Sequence, residues 1–440
     1  MASRTVRTRT GQSLRPLKGG VIGAIDVGSS KIACLILKPH APREGFDPKF
    51  KVLGFGFQAS RGVRAGNVVD INAAEVSIRA AVEQAEEMAG LTLKEAFLAV
   101  SCGHPQSRTV KVEVPVSGNE IGESDLQLAL SMGRTQIPAN KRDVLHCMPG
   151  SYSIDGSRGI RNPVGMIGHS LGVNFHVVSA AAGPLRNLEA CVGRCHLSVA
   201  GKAVAAYASG LSTLVADEIE LGATVIDMGG GTTSIAVFTD GGLVFSDVLP
   251  VGGNHVTSDI ARGISTSIAQ AERLKTLFGS ALSGPNDGRE MITVQQIGEE
   301  DSDGEAQLPR SVLTGIIQPR IEETFEIVRD RLAEAGWSSI SARRVVLTGG
   351  ASQLNGAREI ASRILSKQVR LGKPAQLSGG PELASSAAFS ACAGIASWAA
   401  QRPRELENFS DDADAVELAY ANSSASRGIV GLKRWFKENF

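Results

Sequence analysis

Apolar positions recur along the chain in two rhythms, one of period two and one of period three to four. From Val21 to Leu37 two short runs, VIGAID and KIACLIL, flank the turn VGSS, which predicts a strand, a tight turn and a strand. Near Ala223 the pattern returns as ATVIDMGGGTTSIAVF, again two apolar strands about a Gly/Thr turn with an aspartate near the end of the first. A repeat at this long spacing predicts two related α/β lobes, since a solenoid would repeat over far fewer residues. Between the hairpins, Ala73–Ala89 has helical periodicity and Ala96–Ser101 reads as a strand. Residues 102–178 break that rhythm: TVKVEVPV, VLHCMPGSYSI and GVNFHVV surround one helical piece near Ser124–Arg134, as expected of a small inserted α+β subdomain. Helix returns over Ala182–Arg194 and Val256–Phe278. A polar stretch with one strand, MITVQQI, leads to a long helix over Leu313–Ala335, and RVVLTGGASQLNGAREIASRIL predicts a buried strand, a glycine turn and a helix. The globular pattern fades after Ala400.

Composition narrows the class. With 440 residues, 42% of them hydrophobic, and 45 basic against 45 acidic side chains, a chain dominated by disorder is excluded and a uniformly basic nucleic-acid binder is not expected. The neutrality is uneven. Residues 1–20 carry Arg4, Arg7, Arg9, Arg15 and Lys18 with no acid, residues 401–427 are mainly acidic, and residues 428–440 are basic again. No apolar run is long enough to cross a bilayer and the N-terminus lacks a secretory apolar stretch, so a cytoplasmic protein is expected. The six cysteines form no C-x-x-C pair, which fits reduced thiols. Cys191 and Cys195 stand one helical turn apart beside His196, but no second ligand pair matches them and no metal is expected there.

Three segments carry candidate chemistry. Asp26, Gly28, Ser29, Ser30 and Lys31 set a carboxylate at a strand end, then a turn whose N–H groups and hydroxyls can face an anion, then an ammonium; this suits a phosphate chain with its metal ion, although an ordinary hairpin turn has the same composition. Asp227 followed by Gly229, Gly230, Gly231, Thr232 and Thr233 is more specific, because consecutive glycines pack nothing and let backbone approach a ligand. Gly349, Gly350 and Ala351 end a buried strand where a flat ring can lie against backbone. The chain has neither G-x-x-x-x-G-K-[ST] nor G-x-G-x-x-G, which excludes the common P-loop and dinucleotide fingerprints.

In this order the three segments resemble the phosphate-1, phosphate-2 and adenosine motifs of the actin, Hsp70 and sugar-kinase ATPase fold, whose two lobes clasp ATP. LPVGGNHVTSDIARGI followed by AERLK, Arg161–Gly165, and Ile317 to Arg320 further resemble the bacterial cell-division FtsA family, from about Val21 to Ala400 and again over the last dozen residues. The resemblance implies an actin-like α/β fold with an inserted SHS2 subdomain. It divides the chain into a basic tail (1–20), subdomains IA (21–95 and 179–220), IC (96–178), IIA (221–252 and 341–400) and IIB (253–340), a linker (401–427) and an amphipathic helix (428–440). It implies ATP with Mg²⁺ as ligands: Asp26 and Asp227 would hold the metal mainly through waters, Ser29, Ser30, Lys31 and Gly229–Thr233 would cradle phosphates, and Gly349, Gly350 and Ala351, with Glu272 and Lys275 opposite, would bracket adenosine. One departure bears on turnover. Where many actin-fold proteins carry a Glu-Pro pair that positions water, the matching stretch has Ala205 and Ala206, so slow or negligible hydrolysis is expected.

On a helical projection of the last thirteen residues, Ile429, Leu432, Trp435, Phe436 and Phe440 fall on one arc flanked by Lys433 and Lys437, the composition of a helix lying in a membrane interface. The family resemblance implies polymerisation with itself, capture of the C-terminal peptide of the tubulin-like FtsZ by IIB, with Arg320 and Glu323 as candidate contacts, contact of IC with other division proteins, and a place on the cytoplasmic face of the cell membrane at the division site. A small-molecule kinase or a pilus-assembly ATPase of the same fold stays open as an alternative.

Overall fold

The computed structural model describes residues 20–40, 49–136, 141–297, 305–337 and 344–401. The basic tail up to residue 19 and residues 402–440, with the whole expected membrane helix, lie outside the described residues. The chain divides into two units. The larger holds residues up to Arg108, Lys141–Leu145 and those from Val178 onward, and the smaller holds Thr109 to 136 and His146–Val177.

In the larger unit each predicted hairpin nucleates a sheet. Ile22–Val27 pairs antiparallel with Lys31–Pro39 and parallel with Glu95–Val100, and Ser198–Val204 and Phe50–Ala59 extend that sheet on either side. The second sheet repeats the scheme: Ala223–Met228 pairs antiparallel with Thr233–Thr239 and parallel with Arg344–Thr348, with Gln368–Leu371 next to Arg344–Thr348 and Gly242–Leu249 next to Thr233–Thr239. Strands buried on both faces read as unbroken apolar runs, which is why both hairpins were visible in sequence. Glu95–Val100, whose residues from Ala96 on were expected at the head of the insertion, instead belongs to the first sheet. Its side chains from Ala96 to Val100 are all buried there.

Helix Ile71–Ala89 starts at Asp70, whose carboxylate accepts from the Ala73 amide, and stops at Gly90 in a left-handed conformation. The single helix expected over Val256–Phe278 is two, Gly253–Gly263 and Ile268–Phe278. Ser265 takes a left-handed φ of 49° and the Ser267 side chain accepts from the Gln270 amide, so the chain is capped and restarted between them. The long helix runs Arg310–Glu334 with Pro319 inside it. Helices Ala205–Thr213 and Ser390–Gln401, rich in alanine, serine and glycine, pack on one another and bring Ser212 to the Ser390 carbonyl at 2.8 Å.

In the smaller unit the strands Gln106–Pro115, Ser170–Ala181, Arg142–Ile154 and Ser157–Ile160 contribute in that lateral order, and Gly133 of helix Glu123–Thr135 lies over the Phe175 ring. The α+β character expected of the insertion is present.

Candidate functional site

The two hairpins turn the same way. The Gly28 amide donates to the Lys31 carbonyl at 3.1 Å, and the Gly229 amide to the Thr232 carbonyl at 2.8 Å. Asp26 stands opposite Ala33 and beside Ala99, while Asp227 stands opposite Ser234 and beside Thr348, so the two carboxylates occupy equivalent register positions. Both line one cavity of about 600 Å³. Gly28, Ser29, Ser30, Lys31, Gly229, Gly230, Thr232, Glu272, Lys275, Gly349, Gly350 and Ala351 line it with them.

Two expected residues stand apart. Thr233 is fully buried within its strand and its hydroxyl donates to the Val251 carbonyl at 2.8 Å, which takes it out of the expected phosphate cradle. Gly231 serves packing: a Cβ there would lie 2.5 Å from Ser29 Oγ. Its neighbour Gly230 faces Ser30 in the same way, so the glycines let the turns of the two hairpins touch. Gly349 has φ 86°, and a Cβ on it would lie 2.3 Å from Asp227 Oδ1.

Several wall residues escaped the sequence reading. Asn254 lines the cavity at the start of helix Gly253–Gly263, its amide donating to the Gly230 carbonyl at 2.7 Å; the Gly-Gly pair just before a helix was the available signal. Arg310, Gln353, Leu354 and Asn355 complete the side near Ala351. The Lys31 ammonium donates to the Ala388 carbonyl and lies 4.6 Å from the Phe389 ring centroid, a cation–π contact from a part of the chain with no local motif. Lys275 is held by Glu272 at 2.6 Å, Thr257 Oγ1 at 2.9 Å and the Gly253 carbonyl at 3.1 Å.

Electrostatics single out the aspartates. Burial raises the Asp26 carboxyl above its ordinary value, opposed by the charge of Lys31. Burial also pushes Asp227 up, to about 6. The Asp26 charge adds to that rise, while the Ser209 hydroxyl and Lys31 oppose it. Two desolvated carboxylates near one lysine are a donor set that a divalent cation completes, because it repays the desolvation that a single ammonium does not. Among the described residues no three His, Cys, Asp or Glu side chains gather as an all-protein cage. The two carboxylates fit Mg²⁺, which keeps most of its waters and takes one or two carboxylates besides phosphate.

The candidate partner residues lie elsewhere on the larger unit. Arg320 makes a two-pronged pair with Asp259, Nε to Oδ2 at 2.5 Å and Nη2 to Oδ1 at 3.3 Å, and also contacts Glu323. The Cys191 and Cys195 thiols donate to the Ile71 and Glu75 carbonyls. No described helix is long and apolar enough to cross a membrane.

Comparison with known proteins follows the two units. The profile of the family described as cell division protein FtsA matches residues 224–394, and that of the SHS2 domain inserted in FtsA matches residues 102–179. The chain is 43% identical over 435 residues to the cell division protein FtsA of Rhizobium meliloti (strain 1021), covering 97% of each chain. It is 30% identical over 427 residues to that of Escherichia coli (strain K12), covering 96% of this chain and 98% of the relative. Among solved structures, a PilM–PilN type IV pilus biogenesis complex matches with a TM-score of 0.61 at 16% identity, covering 86% of this chain and 98% of the other. MreB5 of Spiroplasma citri bound to ADP matches with a TM-score of 0.51 at 13% identity, covering 87% and 97%. These structures share the actin-like fold.

Proposed function

The chain belongs to the FtsA family of cell-division proteins, and from that premise we propose that it is an ATP-binding, actin-like tether that polymerises and holds the FtsZ ring to the cytoplasmic face of the membrane. The observation that carries the nucleotide part is the pair Asp26 and Asp227, set at equivalent positions of two hairpins and facing one cavity with a glycine-rich wall. Asp26 and Asp227 would hold Mg²⁺ through its waters, Ser29, Ser30, Lys31, Gly229, Gly230 and Thr232 would receive the phosphates, and Glu272, Lys275 and Gly349–Ala351 would flank the nucleoside. When bound, Mg²⁺ neutralises phosphate charge. The chain's own residues orient the nucleotide and join its two lobes.

Turnover is proposed to be slow. Ala205 lines the cavity where a water-positioning carboxylate or amide would project, and among the described wall residues the remaining carboxylate, Glu272, is tied to Lys275 and Thr257. The same fact disfavours the small-molecule kinase, which needs a base free to accept a substrate proton. Nucleotide is then a structural ligand that sets polymer formation. Binding of a fluorescent ATP analogue with Mg²⁺, followed by phosphate release, tests this: tight binding with turnover below about one per second is expected, and Ala205→Glu should raise turnover about 10-fold or more. Fast wild-type hydrolysis would overturn the structural role.

FtsZ capture through the 253–340 region, IC contacts with later division proteins, and membrane attachment through Ile429, Leu432, Trp435, Phe436 and Phe440 extend the proposal. One short helix binds lipid weakly, and many on one polymer bind firmly through effective concentration.

A further inference from the structure

Ser209 sits on helix Ala205–Thr213, is completely buried, and lines no part of the cavity. Its hydroxyl donates to Asp227 Oδ2, while the other oxygen, Oδ1, faces the Gly349 backbone so closely that a Cβ there would lie 2.3 Å away. The Asp227 carboxylate is thus held at Oδ2 by a hydroxyl from behind, while Oδ1 occupies the room that the missing side chain of Gly349 leaves. Ser209 is itself anchored. Its carbonyl accepts from Thr213 Oγ1 at 2.7 Å and lies 3.0 Å from Ser212 Oγ, which is also 2.8 Å from the Ser390 carbonyl. Ser390 Oγ is 2.7 Å from Thr348 Oγ1, and Thr348 is the residue beside Asp227 across the parallel strand pair. A chain of hydroxyl and carbonyl contacts thus links Asp227 through two packed helices to Thr348, the last residue of the strand that precedes Gly349 and Gly350.

We infer that Ser209 is a positioning residue for the metal: it fixes the orientation of Asp227 and thereby sets how much Mg²⁺ adds to nucleotide affinity. The inference rests on the nucleotide-binding reading above. A carboxylate that holds a hydrated cation through waters has no direct metal bond to orient it, so its direction comes from the groups that hydrogen-bond its other oxygen. Such outer partners, when removed, typically cost about 10- to 100-fold in metal affinity. The Ser209 hydroxyl, inside a helix, is aimed across to a neighbouring strand and not at a carbonyl of its own helix.

The test measures ATP affinity of the full chain with Mg²⁺ and with EDTA, and takes the ratio as the contribution of the metal. Ser209→Ala is expected to lower that ratio at least 10-fold, and Ser209→Thr, which keeps the donor, to restore it to within about threefold. Mn²⁺ binding in the presence of nucleotide, read by paramagnetic resonance, should weaken in parallel. Should Ser209→Ala fail to fold, Ser209→Cys keeps the volume with a weaker donor and carries the same expected loss. An unchanged ratio in the Ala or Cys variant, with wild type binding nucleotide, overturns the inference alone. Absence of nucleotide binding in wild type overturns the reading beneath it as well.

Discussion

Gly230 faces Ser30 so closely that a Cβ built on the glycine would lie 2.6 Å from Ser30 Cβ. The turns of the two hairpins thus meet with the Ser30 side chain against the bare backbone of Gly230, and the same site would place Asn254 Oδ1 at 3.1 Å. Gly230→Val should force the turns apart, lowering affinity for Mg·ATP at least 10-fold while the strands behind, whose core is untouched, keep the melting temperature within a few degrees. Isothermal titration and thermal melting check the two halves separately.

The raised carboxyl of Asp227 gives a pH dependence with a definite sign. Its value rises from an ordinary 3.8 to about 6 in the folded chain, so between these limits the folded state binds more protons than the unfolded one. The nucleotide-free protein therefore loses stability as pH climbs from about 4 to about 6, and the loss is complete above that window. Asp227→Asn should raise the melting temperature of the nucleotide-free protein at pH 7 and change it little at pH 4. The stabilisation given by Mg·ATP should grow as pH passes through about 6, because the metal favours the ionised carboxylate.

Much of this arrangement was legible in sequence because it rests on local pattern. The two hairpins announced themselves through buried β-branched runs around glycine turns, and their aspartates do share a cavity. What local pattern could not reach was anything made by distant parts of the chain. The contact of Lys31 with Ala388 and Phe389 joins residues more than 350 positions apart, and Ser209 meets Asp227 across a helix and a strand. Thr233 misled for a related reason: its place in the GGGTT run suggested a cradle, but strand alternation turned its hydroxyl toward Val251. The break at Ser265 was hidden by continuous apolar periodicity on both sides of it.

The family resemblance makes Arg320 a candidate contact for an incoming peptide, and in the fold it already pairs with Asp259 and Glu323. Arg320→Ala should therefore destabilise the larger unit by about 1 kcal/mol by leaving Asp259 without its two-pronged partner. Glu323→Ala leaves that pair intact and should not lower the melting temperature by more than a degree or two. Peptide affinity measured in both variants then separates a direct contact from a structural one: loss in Glu323→Ala marks a direct contact, and loss confined to Arg320→Ala marks a collapsed surface.

In the proposed function, nucleotide binding and membrane attachment act together in one polymerising chain. Co-sedimentation with anionic liposomes tests it most directly, comparing the full-length protein with a Trp435→Glu, Phe436→Glu double variant, each with and without Mg·ATP. Wild-type protein is expected to pellet with lipid, and more completely with Mg·ATP, while the double variant stays in the supernatant under both conditions. Equal sedimentation of the two proteins would contradict it.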